Sequence, residues 1–307
     1  MGQTLVLVSL TRHIGLLEQF LEYYLGLGVD RFLVHINDEE GDGAIAGAAR
    51  AVMAWYPCTL THVWSGQYDC YRKVENDAHV LTDFAHEDDW VLVPDLDEFA
   101  EYPLPLKTLL DYCTRTGCNA IRGRFTDRIA EGGELPVQDP ALCVFAQFPY
   151  RAEITGPVLQ GQTPVLCAVR GSVPVNRHFT GDDAPVLGGA PLCFLPSLEV
   201  PVHHFKWSQN AIERMVARYL LYKERHAQGQ DAFDFYEEGK RFLDYLAAND
   251  GRFDLADPLL GASWDGRCLF KQHPESVTCS CGGGKEEQAA RAPAPHQARD
   301  GSPSVAP

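Results

Sequence analysis

The sequence predicts an α/β fold: an open, mostly parallel sheet with covering helices, closed near its C-terminal side by two more helices. Three observations support it. Short runs rich in Val, Leu and Ile alternate with stretches of helically spaced apolar residues from Thr4 to Phe125, the pattern of repeated strand–helix units. The first strand-like run is almost wholly apolar, as in a central strand buried on both faces. Several runs end abruptly in polar residues, and ligands of such sheets bind beyond the carboxyl ends of the strands.

Each element has its own signal. Thr4–Leu10 is β-rich and apolar, and Ile14, Leu17, Phe20, Leu21, Tyr24 and Leu25 keep helical spacing until Gly26 and Gly28 stop it. Arg31–Ile36 is a second strand that runs into Asn37, Asp38 and an acidic loop ending at Gly43. Ala44–Trp55 reads as a helix, Thr59–Trp64 as a strand, Lys73–His86 as a helix and Trp90–Pro94 as a fourth strand. Leu104–Cys113 is helical, and Asn119–Phe125 is a strand ending in Thr126-Asp127-Arg128. Between residues 130 and 200 Gly and Pro predict irregular loops around two β-like runs, Leu142–Phe148 and Val165–Val169. Val200–Trp207 is strand-like. Two helices follow, Gln209–Gln228 with Arg214, Arg218, Lys223 and Arg225, then Phe233–Ala248. Residues 1–255 are expected to form one domain, 256–278 an extension, and 279–307 a disordered tail of Gly, Ala, Pro, Ser and charge.

Lys and Arg total 26 against 42 Asp and Glu in 307 residues, a net charge of −16. That balance argues against nucleic acid or an anionic membrane surface as the main partner, and an anionic ligand would need a local cation or metal. The ten cysteines are irregularly spaced, which is unlike a disulfide scaffold. Cys279-Ser280-Cys281, with His273 nearby, is either a weak metal cluster or an incidental thiol pair. Met1–Leu10 lacks a basic start and reads as a strand, and no apolar run approaches a membrane span. A cytoplasmic setting is expected.

Chemistry concentrates at Trp90-Val91-Leu92-Val93-Pro94-Asp95-Leu96-Asp97-Glu98-Phe99. In an extended segment Asp95 and Asp97 would face one side and could share a hard cation. The other reading of the spacing is a strand-to-helix turn with Asp97 or Glu98 as cap. Polar ends on neighbouring strands, at Arg12-His13 and Asn37-Asp38, favour the site.

In order along Thr4 to Asp254, the chain resembles glycosyltransferases of GT-A fold, of the family-2-like and family-92-like kind. Four segments carry the resemblance: Leu16 to Tyr24 with Gly28 to Phe32; Asn37 to Gly43; Trp90 to Phe99, similar to the family's DxD motif with its trailing Glu-Phe; and His204-Phe205-Lys206-Trp207-Ser208. The first turn departs from it, with Arg12-His13-Ile14 where relatives often carry Asn-Glu, and the QxxRW signature of processive synthases is missing.

The resemblance implies a metal-dependent, inverting transfer from a nucleotide-diphosphate sugar to an acceptor hydroxyl. Asp97 would ligate Mn²⁺ or Mg²⁺, Asp95 the ribose or the metal through water, and His204 would be a third ligand. Arg12, Asn37 and Asp38 are candidates for base and ribose, and Lys73 for the diphosphate. Asp127 is the first candidate for general base, with Glu153, Asp182 and Asp183 as rivals. Arg128, Lys206 and Trp207 could line the site, although Trp207 also suits a core. Two other readings stay open: a nucleotidyltransferase, for which Ser9-Leu10-Thr11-Arg12-His13 lacks a glycine-rich phosphate loop, and an inactive binding module.

Overall fold

The computed structural model describes residues 2–11, 14–171, 192–229 and 234–272. Strand β1 (Thr4–Thr11), helix α1 (Leu17–Gly26), β2 (Arg31–Asp38), α2 (Ala44–Met53), β3 (Cys58–Ser65), α3 (Cys70–Phe84) and β4 (Trp90–Leu92) alternate along the chain. These strands lie parallel in the order β4-β1-β2-β3. Thr4–Leu10 is buried at every position, so its unbroken apolar character follows from helices on both faces.

Beyond β4 the pairing becomes mixed. The elements are β5 (Glu98–Ala100), α4 (Leu106–Arg115), β6 (Ala120–Ile129), α5 (Val144–Gln147), β7 (Tyr150–Ala152), β8 (Pro164–Arg170), β9 (Val200–His204), α6 (Gln209–Ala227), α7 (Phe235–Ala248) and β10 (Ser263–Trp264). β8 lies antiparallel between β4 and β6, and β9 pairs parallel to β6 and antiparallel to β5. The α/β class and the parallel first half are as the sequence predicts.

Local expectations differ in three places. Leu142–Phe148 contains the one-turn helix α5 instead of a strand. Its Phe145 and Phe148 are buried against Phe205, and a short apolar run does not by itself distinguish strand from helix. Val200–Trp207 pairs as a strand up to His204 only, after which the chain turns into α6. Glu98 begins the unexpected β5, not a helix, because Phe99 and Ala100 complete the sheet against β9.

Phe99 is the aromatic centre of the main core. It is fully buried, with the rings of Tyr23, Phe205, Phe145 and Phe270 at 5.2, 5.4, 6.0 and 6.1 Å. From α1, the Tyr23 hydroxyl donates to the Ala100 carbonyl at 2.7 Å and Tyr24 to the Glu98 carbonyl at 3.0 Å. These contacts fix β5, and β5 carries Glu98. Residues after Trp264 return to the core through Leu269 and Phe270. The tail at 279–307, including Cys279 and Cys281, lies outside the described residues, as does His273. Among the described residues no helix is long and apolar enough to cross a membrane.

Phe99→Ala would leave a ring-lined cavity, so it is expected to cost about 3–5 kcal/mol of folding stability. Urea unfolding measures this directly; a loss under about 1 kcal/mol contradicts the assigned core.

Candidate functional site

The segment after β4 is a turn, not an extended strand. Pro94 cannot continue the ladder, and the Glu98 amide donates to the Asp95 carbonyl at 3.0 Å while the Asp95 amide donates to the Glu98 carboxylate at 3.1 Å. The two aspartates therefore diverge. Asp95 approaches Lys73 at 3.6 Å, whereas Asp97 approaches Arg214 at 3.5 Å.

Strand register completes a different ligand set from the one expected. Glu98 lies directly opposite His204 across the antiparallel β5–β9 pair, so both side chains share a face. The Phe205 amide donates to the Asp97 carbonyl at 2.8 Å and draws Asp97 to the same place. Ligand atoms of Asp97, Glu98 and His204 lie within 4.8 Å of one another. Glu98, not among the residues expected to hold a metal, joins Asp97 and His204 in this group, and Asp95 lines the same cavity outside it. The signal for Glu98 was faint, because a three-residue strand shows no periodicity.

Asp127 lies behind His204 and does not line the cavity. The carboxylate is 1% exposed. It accepts from the Ile154 and Thr155 amides at 2.8 and 2.7 Å, the Thr155 hydroxyl at 3.0 Å, the Trp207 indole at 2.8 Å and His204 Nδ1 at 3.0 Å. Burial pushes its carboxyl up, but the His204, Thr155 and Trp207 donors outweigh burial and hold it below the usual range. With its lone pairs committed, Asp127 fixes the protonated nitrogen of His204 at Nδ1 and leaves Nε2 as the free lone pair. Phe125 stacks on the imidazole at 4.4 Å.

The other expected bases do not reach the cavity among the described residues. Glu153 is exposed and does not line it, while Asp182 and Asp183 lie outside the described residues, as do Arg12 and His13. Asn37 and Asp38 are buried at the end of β2 and do not line it either. One oxygen of each has no hydrogen-bond partner among the described residues, and Asn37 donates to the Gly66 carbonyl at 2.9 Å in the turn before Gln67 and Tyr68, which do line it.

Arg128 and Trp207 are internal. Arg128 points to the opposite face of β6 from Asp127, where its Nε donates to His203 at 3.2 Å and its guanidinium meets Asp265 at 3.3 Å. His203 in turn meets Glu101 at 3.1 Å. Burial lowers Arg128 to about 10. Trp207 is fully buried and stacks on Phe242 of α7 at 5.5 Å.

Lys206 does line the cavity, joined by Lys73, Arg214 and Arg218. The carboxylates lining it are Asp95, Asp97, Glu98 and Glu238. Glu238 accepts from Arg218 at 2.8 Å and Lys206 at 3.4 Å. Burial pushes Glu238 up, yet these two cations bring it to about 2. Arg214 and Arg218 are one turn apart on α6, a spacing visible in the sequence that did not reveal which way they face.

No protein-family profile matches this chain, and no curated protein matches it. Among solved structures it is similar to HddC from Yersinia pseudotuberculosis, at 9% identity and a TM-score of 0.34 over 69% of this chain and 97% of that one. It is also similar to a protein described as a glucose-1-phosphate thymidylyltransferase from Bacillus anthracis, in complex with sucrose. There the identity is 7% and the TM-score 0.26, over 44% of this chain and 58% of that one. A UDP-glucose pyrophosphorylase complexed with UDP-glucose is similar at 9% identity and a TM-score of 0.25, over 71% and 80%.

Asp77, Asp127 and Glu238 all titrate lower in the native chain than in the unfolded one. Their stabilisation is complete above the unfolded carboxyl range, about pH 4–4.5, and is lost as pH falls through the native values. For Glu238, a fall from 4.5 to about 2 corresponds to on the order of 3 kcal/mol. The urea midpoint should hold above about pH 5 and drop steeply towards pH 2, with a shallower drop in Glu238→Gln. A midpoint level down to about pH 2 contradicts these pairings.

Proposed function

We propose that this chain is a divalent-metal-dependent glycosyltransferase that uses a nucleoside-diphosphate sugar. The observation that carries the reading is the convergence of Asp97, Glu98 and His204 beside Lys73, Lys206, Arg214 and Arg218 in one cavity. Two carboxylates and an imidazole suit Mn²⁺ better than Mg²⁺, which prefers all-oxygen shells. His204 fits as a ligand because Asp127 occupies Nδ1 and leaves Nε2 free. When bound, such an ion neutralises charge that develops on a departing diphosphate.

The chain's own residues divide the remaining tasks. Cavity-lining cations and carboxylates are equal in number among the described residues, four of each, so an added divalent ion leaves positive charge to attract a diphosphate. Lys73, Arg214 and Arg218 bind that diphosphate, and Asp95 accepts from the ribose. Arg12 is the proposed contact to the base, and Asn37 acts from behind the wall by holding the turn before Gln67 and Tyr68, which line the cavity. In the transfer, the acceptor oxygen bonds to the anomeric carbon as the bond from that carbon to the diphosphate oxygen breaks. The hydroxyl proton passes to a carboxylate, and Asp182 and Asp183, both outside the described residues, are the proposed candidates for that role in an inverting reaction. Asp127 is a positioning residue for His204.

Calorimetry of nucleoside diphosphates with and without Mn²⁺ tests this. Asp97→Ala and His204→Ala should abolish the metal-dependent part of binding, and Asp127→Asn should weaken Mn²⁺ affinity about 10–100-fold. Binding that is metal-independent and unchanged in all three variants contradicts the reading. Product analysis separates the chemistry: release of a nucleoside diphosphate supports glycosyl transfer, and release of pyrophosphate reassigns the site to nucleotidyl transfer.

A further inference from the structure

Behind the cavity wall, Lys73 is joined by the buried His35 and the partly buried Asp77, to which the transfer chemistry gives no part. Lys73 lies near the start of α3, with its ammonium 2.8 Å from Asp77 one turn later and 3.6 Å from Asp95. The other Asp77 oxygen lies 2.6 Å from Nε2 of His35. His35 is fully buried on β2, so the contacts run from the sheet through Asp77 and Lys73 to the cavity. Burial pushes the Asp77 carboxyl up, but Lys73 and His35 outweigh it and hold it below the usual range.

This arrangement is more than a local helix pair. A lysine stem has several rotatable bonds whose freedom is lost when the ammonium is fixed on a ligand. Asp77 lies on the same side of α3 and restricts that freedom, but a carboxylate on a short stem can itself rotate. The bond from His35 removes the second freedom by tying Asp77 to a rigid strand. Asp77 is the acceptor, so Nε2 carries the proton, and the buried Nδ1 has no hydrogen-bond partner among the described residues. An apolar residue would fill the place without that cost, which points to a task for the imidazole.

We infer that His35 and Asp77 are positioning residues that hold the Lys73 ammonium against the donor diphosphate, with Asp95, the longer contact, giving way to a phosphate oxygen. The inference rests on the nucleotide-sugar reading of the cavity. Inorganic pyrophosphate with Mn²⁺ is the probe, titrated calorimetrically into wild type, Lys73→Ala, Asp77→Asn and the double variant, with Mn²⁺ alone titrated separately. Lys73→Ala and Asp77→Asn should each weaken pyrophosphate about tenfold. The double variant should be no weaker than Lys73→Ala, and Mn²⁺ affinity should not change.

Additive losses, or an unchanged Asp77→Asn beside a weakened Lys73→Ala, overturn the positioning role. Unchanged binding in Lys73→Ala overturns the placement of the diphosphate itself, and the inference falls with it. His35 gives a second route if Asp77→Asn does not fold. His35→Gln, whose amide nitrogen reaches the Nε2 position, should bind pyrophosphate as wild type does, and His35→Leu should match Asp77→Asn. Equal affinities in the two His35 variants overturn the proposal.

Discussion

A single buried carboxylate holds the cavity in shape. Asp127 closes β6 with donors from the chain at residues 154–155, from His204 on β9 and from Trp207 just before α6. A buried charge is tolerated when its lone pairs are matched, and removing one partner leaves the rest unpaired. The Asp127 bonds therefore act together, and the imidazole they orient belongs to the same unit. Through Trp207 and Phe242 the unit extends into α7, so the closing helices and the sheet share one anchor.

Charge is arranged against the grain of the whole molecule. The chain is strongly acidic, yet the cavity gathers cations from three segments. Lys73 comes from α3, Lys206 from the turn between β9 and α6, and Arg214 and Arg218 from α6. Each has partners: Lys73 meets Asp77 at 2.8 Å, Glu238 serves both Lys206 and Arg218, and Arg214 donates to the Lys206 carbonyl at 2.7 Å and meets Asp97 at 3.5 Å. Across the cavity Arg225 pairs with Asp69 at 2.6 Å and Tyr222 meets the Cys70 thiol at 3.0 Å, which fixes α6 against α3. Walls held in this way present their cations without having to collapse onto one another.

Much of the fold was legible because periodicity and burial coincide. Long strands such as β1 and β2, and long helices such as α6 and α7, follow their apolar patterns closely. The sequence also singled out Asp97 and His204, which the structure brings close together. Long-range register was not. Whether Asp95 or Glu98 joins His204 depends on a turn at Pro94 and on pairing with a strand about a hundred residues away, which no local pattern encodes. Asp127 illustrates the same limit: its strand-end position was clear, but the five donors that occupy it come from distant parts of the chain. His35 and Asp77 sit on a strand and a helix 42 residues apart, so their pairing emerged only in three dimensions.

The alternation along β6 and β9 has a further consequence. Asp127 and Arg128 are neighbours, as are His203 and His204, and each pair splits between two unrelated networks on opposite faces of the sheet. Losing one residue before either motif would not merely shift the strand. It would put Phe205 where the cavity imidazole belongs, or Arg128 where the carboxylate anchor belongs. Indels here are thus excluded from two sides, and viable length variation should be confined to the connections between strands.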